Sequence, residues 1–310
     1  MQRIITDFGS DVPFNKISKK LKEHYGIEVP ASSAQNITEE HARQIKRDED
    51  IHGHFPIREG TECLICETDG TMVPIVDVRD RDGEEKVQDK RKTRSVRWKE
   101  CRLTLARKKG ETKPVFGGTM GSADEAGDHW FDCAIRSGLG EKTKVHCVGD
   151  GATWITDQVD RVFGKGTSYL IDFYHLCDYL APAAKKCSED PSKWLDQQKV
   201  HMKEGQINKV LVALLPYIEP DNVNDKDAPV RCCYRYISNR KDQFDYKYAI
   251  ENDLPIGSGE IESAHRYVIQ DRLKIAGAWW KVQNAENMLA LRILRENNGW
   301  GNYWKNLMAA

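Results

Sequence analysis

The sequence lacks the features that mark membrane and secreted proteins. No run of about 18 apolar residues occurs among its 310 residues, so no membrane-spanning helix is expected. The opening stretch MQRIITDFGSDVPFN has no basic segment followed by an apolar one, and it therefore does not resemble a signal peptide. The nine cysteines are odd in number and irregularly spaced, which favours reduced thiols over a disulfide framework. We expect a cytoplasmic protein that binds no membrane.

The chain has almost no net charge, yet its positive charge is concentrated in one place. Lysine and arginine total 47 and aspartate and glutamate total 48, which gives a net charge of −1. Residues 86–109, here called the basic segment, read KVQDKRKTRSVRWKECRLTLARKK and contain only Asp89 and Glu100 as acids. The segment is either the solvated face of a β-hairpin or a strip that neutralises the phosphates of a nucleic acid. Charge alone leaves both interpretations open.

Hydrophobic periodicity divides the chain into four parts. Residues 1–55 predict a small helical domain with the outline of a helix-turn-helix, an outline that many small helical pairs share. Residues 56–179 predict strands ECLICETDG, MVPIVDVRD, WKECRLTLARK and KPVFGGTM, followed by a helix, a strand, a helix and a strand. That order indicates a mixed α/β layer. Residues 180–250 and 251–310 read as helices.

Three carboxylates are predicted at the ends of elements. Asp69 closes the first strand, Asp150 closes a later strand and Glu262 opens a helix. Each has a simple explanation, because Asp-Gly is a turn signal and an acid near a helix N-terminus is favoured by the helix dipole. Together they fit another geometry, in which carboxylates from two strand ends and a crossing helix hold two divalent cations about 3.5–4 Å apart. Oxygen ligands of this kind suit Mg²⁺ or Mn²⁺.

Four motifs make a resemblance specific. VGDGATWI, YLIDFYHL, IGSGEIESAHRYVIQDRLK and WW before a leucine-rich helix occur in that order. The order resembles bacterial insertion-sequence transposases of the ISKra group, which are DDE enzymes, from about Thr61 to Trp304. The resemblance implies an α/β fold with a ribonuclease-H-like core, that is, a mixed sheet with flanking helices. It also implies that Asp69, Asp150 and Glu262 are the catalytic acids and the ligands of two Mg²⁺ or Mn²⁺ ions.

The same resemblance implies a helical insertion. About 112 residues separate Asp150 from Glu262, and a bare ribonuclease-H-like core needs far fewer. We therefore expect residues 180–250 to interrupt the core, residues 1–55 to precede it, and residues 251–310 to complete it with the helix that carries the third acid.

The opening of that last helix contains two acids, Glu260 and Glu262. Residues two apart lie about 200° around a helix, so the two side chains cannot both face one metal site. The family pattern, in which GSG is followed after two residues by Glu, selects Glu262. Glu260 is then an acid that favours the helix N-terminus, and Arg266, one turn after Glu262, is placed to pair with it or with a phosphate.

Two further residues and one cysteine pair have open roles. Asp172 and His175, in DFYH, resemble a motif of several DDE transposase groups, which implies an auxiliary role for both. A second interpretation of His175 stays open, namely a hydrogen-bonded histidine at a helix start. Cys63 and Cys66 have the CxxC spacing of a zinc site. Cys232 and Cys233 are adjacent, which suits tetrahedral chelation poorly, and we expect structural cysteines.

The resemblance implies metal-dependent phosphodiester hydrolysis and strand transfer at insertion-sequence ends. The partners would be double-stranded DNA of the element ends and target, together with further copies of the chain in a homodimer or higher oligomer on the bacterial nucleoid. Two alternatives stay open: a non-catalytic DNA-binding protein derived from a transposase, and a structure-selective nuclease of the same superfamily. The predicted DNA-contacting residues are Arg91, Lys92, Arg94, Arg97, Arg266, Arg272, Lys274 and Trp280.

Overall fold

The computed structural model describes residues 1–78 and 94–309, and these form a mixed α/β structure. No helix in these two ranges is both long and apolar enough to cross a membrane. The strands are β1 (Cys63–Val78), β2 (Arg94–Lys108), β3 (Val115–Thr119), β4 (Lys144–Gly149) and β5 (Ser168–Ile171). The helices are α1 (Gln2–Asp11), α2 (Phe14–Tyr25), α3 (Ala31–Arg47), α4 (Ala123–Arg136), α5 (Thr153–Phe163), α6 (Phe173–Cys187), α7 (Pro191–Lys203), α8 (Ile207–Leu214), α9 (Pro229–Ser238), α10 (Tyr246–Glu251), α11 (Gly259–Ala264), α12 (Asp271–Leu273), α13 (Val282–Glu296) and α14 (Trp300–Ala309).

The strands form one sheet in the order β3-β2-β1-β4-β5. The pairs β1–β2 and β2–β3 are antiparallel, whereas β1–β4 and β4–β5 are parallel. The parallel strands are joined by crossovers that contain α4 and α5, as parallel pairing requires. The predicted mixed α/β layer is therefore confirmed.

One boundary in the sequence prediction was wrong. The stretches ECLICETDG and MVPIVDVRD were expected to be separate strands with Asp69 at the end of the first, but β1 runs through both without a break. Gly70 does not make a turn. It leaves room for a neighbouring side chain, because a Cβ at this position would lie 2.3 Å from Oε1 of Glu100 on β2.

The sheet separates two hydrophobic cores. Alternate residues of a strand point to opposite faces, and Leu64 and Cys66 pack on one face with α4, α5 and the helices that follow β5. Val73 and Ile75 pack on the other face beneath α11, α12 and α13. Asp69 has the same parity as Val73 and Ile75, so it faces the α11 side.

Residues 173–251 supply the helices α6–α10 that lie between β5 and α11. This is the region where a helical insertion was predicted, although α6 already begins directly after β5. Tyr236 of α9 donates a hydrogen bond to the backbone oxygen of Asp150 at 2.9 Å. The helical region therefore contacts the end of β4.

The N-terminal helices α1–α3 have a small core of their own, which includes Ile5, Ile17 and Leu21. They also pack on the C-terminal helices, since Ala42 and Ile45 of α3 join the core beneath α13. A buried hydrogen bond from Nε of Arg272 to the backbone oxygen of Gly9 (2.9 Å) adds a polar connection. The first 55 residues thus contact the helices that complete the core.

Candidate active site

Three aspartates lie in one row across the parallel strands, with Asp150 and Asp172 directly after the ends of β4 and β5 and Asp69 within β1. Glu67 of β1 pairs with Val148 of β4, and the same alignment continued by two residues brings Asp69 level with Asp150. Gly149 pairs with Ile171 of β5, and one step further brings Asp150 level with Asp172. The backbone N–H of Asp172 donates to the oxygen of Gly149 at 2.7 Å, which holds this alignment at the end of β5.

The first two aspartates are partly exposed, and each is oriented by a local hydrogen bond. Oδ1 of Asp69 accepts from the backbone N–H of Gly70 at 2.6 Å. Oδ1 of Asp150 accepts from the backbone N–H of Ala152 at 2.8 Å, in the loop that leads into α5. These bonds fix the carboxylates by a short side-chain-to-backbone bridge, the usual behaviour of aspartate at such positions.

Asp172 differs from them because it is buried and saturated with hydrogen bonds. Its Oδ1 accepts from the backbone N–H groups of Tyr174 and His175 and so caps α6. Its Oδ2 accepts from the backbone N–H and the hydroxyl of Ser258. Both oxygens are therefore occupied by protein donors, and Asp172 joins the end of β5 to the loop before α11.

The two acids of α11 point in different directions. Glu260 pairs with Arg107 of β2, with 2.6 Å between Oε2 and Nε, whereas Glu262 is exposed. Between them, the backbone N–H of Ile261 donates to Oε2 of Glu67 at 2.8 Å. The start of α11 is thus held on β1 and β2 by Glu67 and Arg107, and Glu262 is left on another side of the helix.

The charges of two of the three aspartates act on Glu262. Partial desolvation and then the negative charges of Asp172 and Asp69 raise the pKa of its carboxyl group, while His175 and His265 oppose the shift. Like charges near one another disfavour the ionised form. The two catalytic acids predicted on β1 and α11 therefore lie close enough to influence each other.

Glu67 was missed by sequence reasoning. It is fully buried, and its burial raises the pKa of its carboxyl group to about 8, with Glu260 and Asp172 adding to the effect and the bond from Ile261 opposing it. The signal was available in principle, because residues two apart in a strand share a face and Glu67 precedes Asp69 by two.

Two histidines flank the same area. His265 is buried next to Asp69, with its Nε2 3.3 Å from Oδ2, yet neither ring nitrogen makes a directional hydrogen bond within the described part of the chain. His175 is half-buried on α6, and its ring lies 5.7 Å from that of Tyr179. The sequence singled out His175 but not His265.

The donor set fits a hard divalent cation, because Asp69, Asp150 and Glu262 offer only carboxylate oxygens. Desolvation and then the negative charges of Asp172 and Asp69 raise the pKa of the Glu262 carboxyl group, and a cation bound beside Glu262 would oppose that shift. In residues 1–78 and 94–309, no group of three or more His, Cys, Asp or Glu side chains lies close enough together to hold a metal ion.

The predicted DNA-contacting residues fall into three groups. Arg94, Arg97 and Arg266 are exposed, and Lys274 is half-buried with its Nζ 2.7 Å from the hydroxyl of Thr71. By contrast, Arg272 and Trp280 are buried, so neither lies on an open surface. Arg91 and Lys92 lie outside the described residues.

Residues 94–98 of the basic segment form one strand of a two-stranded ribbon. Residues 94–98 of β2 pair only with residues 74–78 of β1, beyond the part of the sheet covered by β3 and β4. Trp98 is 60% exposed. The guanidinium of Arg94 lies 4.9 Å from the ring of Trp279, and Arg97 pairs with Asp77 at 2.6 Å. The ribbon therefore presents both cations and an exposed indole.

The cysteines are free thiols. Cys63 and Cys66 are buried on β1, and Cys66 lies opposite Cys147 of β4. Burial raises the pKa of the Cys66 thiol well above its usual range, and Cys147 adds to this effect. These residues pack in the sheet as small apolar side chains.

Comparison with known protein families gives a match that covers most of the chain. None of the curated proteins matches the chain. Residues 19–306, which include all five strands and every candidate site residue, match the family described as "Uncharacterised protein family (UPF0236)". The chain therefore belongs to the UPF0236 family.

Proposed function

We propose that this protein is a metal-dependent DNA transposase of the DDE type, with a ribonuclease-H-like core similar to that of the ISKra group. One observation carries the proposal: β1 and β4 are adjacent parallel strands, and their register, continued two residues beyond the Glu67–Val148 pair, brings Asp69 level with Asp150. The charge of Asp69 also acts on Glu262 of α11, the helix that packs on β1. The mixed sheet with its flanking helices supports the same fold.

Asp69, Asp150 and Glu262 would hold two Mg²⁺ or Mn²⁺ ions, which supply activation of a water or 3′-hydroxyl and stabilisation of the leaving oxygen. Asp172 positions the loop before α11, because both its oxygens are engaged by the backbone and Ser258. Glu67 and Arg107 hold the first turn of α11 against the sheet. Together these residues set the direction in which Glu262 points.

The DNA would lie across the ribbon and the exposed face of α11. Arg94, Arg97 and Arg266 are exposed, and cations of this kind bind phosphates without reading the base sequence. Trp98 offers an exposed aromatic surface.

The test is cleavage of supercoiled plasmid and of DNA carrying the element's ends, with Mg²⁺ or Mn²⁺. We expect strand cleavage that EDTA abolishes and that Asp150→Ala removes. Asp160→Ala is a matched control, because Asp160 is an exposed aspartate on the neighbouring α5. Equal cleavage in EDTA or in Asp150→Ala would refute the proposal.

The products distinguish the proposal from its rivals. A transposase joins the freed 3′ end to a second DNA, which is scored by insertion into a target plasmid. Cleavage without joining would identify a structure-selective nuclease, and DNA binding without metal-dependent cleavage would identify a non-catalytic DNA-binding protein.

A further inference from the structure

A pocket of about 570 Å³ lies between the N-terminal helices and the segment that follows α12. One wall contains Phe14, Lys16 and Glu39, and the other contains Arg272, Trp279 and Trp280. The pocket is separate from the row of carboxylates, although Arg272 lies on the helical stretch 259–273 that begins with α11 and continues through a π-helical turn, His265–Gln270.

Arg272 is an incompletely satisfied cation in the wall of this pocket. It is 2% exposed, and its guanidinium lies between two rings, 4.7 Å from that of Phe14 and 4.8 Å from that of Trp280. Nε donates to the backbone oxygen of Gly9. Nη2 is buried and has no hydrogen-bond partner in the described ranges.

The neighbouring Arg292, by contrast, has hydrogen-bond acceptors for its guanidinium, one of which is a carboxylate. Its Nη1 contacts Oδ1 of Asp11 at 3.0 Å and the backbone oxygen of Ser10 at 2.5 Å, and its Nε donates to Val268. Arg272 has no such carboxylate among the residues that the structure describes. Burial and the nearby charge of Arg292 lower its pKa to about 10. A buried charge without a partner is costly, and an anion in the pocket would provide one.

We propose that this pocket binds a phosphate group, with Arg272 as its inner cation and the exposed Lys16 at its rim. Arg is suited to this role because its planar donors match phosphate oxygens. Glu39, half-buried in the same wall and hydrogen-bonded to Gln35 at 2.9 Å, opposes binding. The phosphate comes either from the DNA backbone, an assignment that rests on the proposed function, or from a free nucleotide.

The first experiment uses the full chain and inorganic phosphate, with a thermal melt at constant ionic strength against chloride. We expect phosphate to raise the melting temperature of the wild type. Arg272→Gln should lose this shift, and Arg272→Lys should keep part of it. Arg292→Gln is the matched control, since it removes a buried arginine packed between the same helices but absent from the pocket wall.

Two rim variants keep the proposal testable if Arg272→Gln does not fold. Lys16→Gln should weaken phosphate binding several-fold, and Glu39→Gln should strengthen it. The absence of a phosphate shift in the wild type, or rim variants that change nothing, would overturn the proposal, as would equal losses of the shift in Arg272→Gln and Arg292→Gln.

DNA binding then identifies the source of the phosphate. If the pocket holds a backbone phosphate, Arg272→Gln should reduce the slope of log Kd against log salt by about one. An unchanged slope with intact phosphate binding excludes the DNA backbone as the source, and a larger melting shift with a free nucleotide than with inorganic phosphate would then assign the pocket to a nucleotide. Both results are independent of cleavage, so failure of the proposed catalytic function would leave them standing.

Discussion

Asp172 and Ser258 are joined by two hydrogen bonds, in which the backbone N–H and the hydroxyl of Ser258 both donate to Oδ2 of Asp172, the hydroxyl at 2.7 Å. Gly257 permits this close approach, because a Cβ there would lie 3.0 Å from the ring of Tyr174. The bond from the N–H of Phe173 to the oxygen of Ile256 adds a further connection at 2.8 Å. The IGSG motif is therefore built against the end of β5.

Asp172→Asn should destabilise the protein. The amide cannot accept at both ends, so one buried donor of Ser258 or of the α6 cap loses its partner, at a cost of about 1–3 kcal/mol. Urea denaturation measures the change in the free energy of unfolding. Asp178→Asn, on the exposed side of the same helix, should change it little, and equal stability of Asp172→Asn and the wild type would contradict this account.

Glu67 should make stability depend on pH. Its pKa rises from 4.5 to about 8 on folding, so between these values the folded state holds a proton that the unfolded state has lost. This contribution to stability is present below about pH 4.5 and is lost as the pH rises to about 8, by at most about 1.4 kcal/mol per pH unit. Glu67→Gln keeps an acceptor for Ile261 but does not titrate.

The measurement is urea denaturation of the wild type and Glu67→Gln at pH 5, 6.5 and 8. The variant should gain stability relative to the wild type as the pH increases. Glu141→Gln, at an exposed glutamate, should show no such trend, and a parallel pH dependence of the wild type and Glu67→Gln would exclude the role given to Glu67.

Divalent metal should stabilise the fold if the proposed site is correct. Mn²⁺ at a hundredfold excess over its Kd should add about 2.7 kcal/mol to the free energy of unfolding. Asp150→Asn and Glu262→Gln should lose most of this gain in thermal melts. Glu260→Gln should retain it, because Glu260 pairs with Arg107. A metal shift lost in Glu260→Gln and kept in Glu262→Gln would reverse the assignment of the third acid.

The ribbon should contribute to DNA affinity. The double substitution Arg94→Ala and Arg97→Ala should weaken binding about equally on all sequences and reduce the salt dependence by about one to two phosphate contacts. Fluorescence anisotropy over a series of salt concentrations measures both effects. Lys142→Ala, at an exposed lysine paired with Glu59, is the control, and an unchanged salt slope in the double variant would remove the ribbon from the DNA-contacting surface.

Much of the element order followed from local pattern. The helix predicted over SADEAGDHWFDCAIRSGL is α4, whose Ser122 and Glu125 form a capping box, and the alternating apolar stretches became strands. Asp69 was harder, because Asp-Gly normally marks a turn. Here Gly70 leaves space for the side chain of Glu100 on the adjacent strand. The two residues are 30 positions apart, so the local pattern around Gly70 does not reveal this contact.

Partners across long separations also explain the other differences. The sequence singled out Arg272 as a surface contact, yet the N-terminal helices bury it through Gly9 and Phe14. Asp172 was treated as a possible auxiliary acid, and its partner Ser258 lies 86 positions away. Tertiary packing determines which charged residues face water, and the local sequence pattern around a residue does not show which distant segments will cover it.

The unbroken strand β1 carries Asp69 near its middle and Val78 at the far end of the ribbon. The steps from position 69 to position 78, at about 3.3 Å each, give a separation of roughly 30 Å. DNA rises about 3.4 Å per base pair, so a straight duplex in contact with both ends of this span would extend over about nine base pairs. The length of β1 therefore sets the shortest duplex that can contact both Asp69 and the far end of the ribbon.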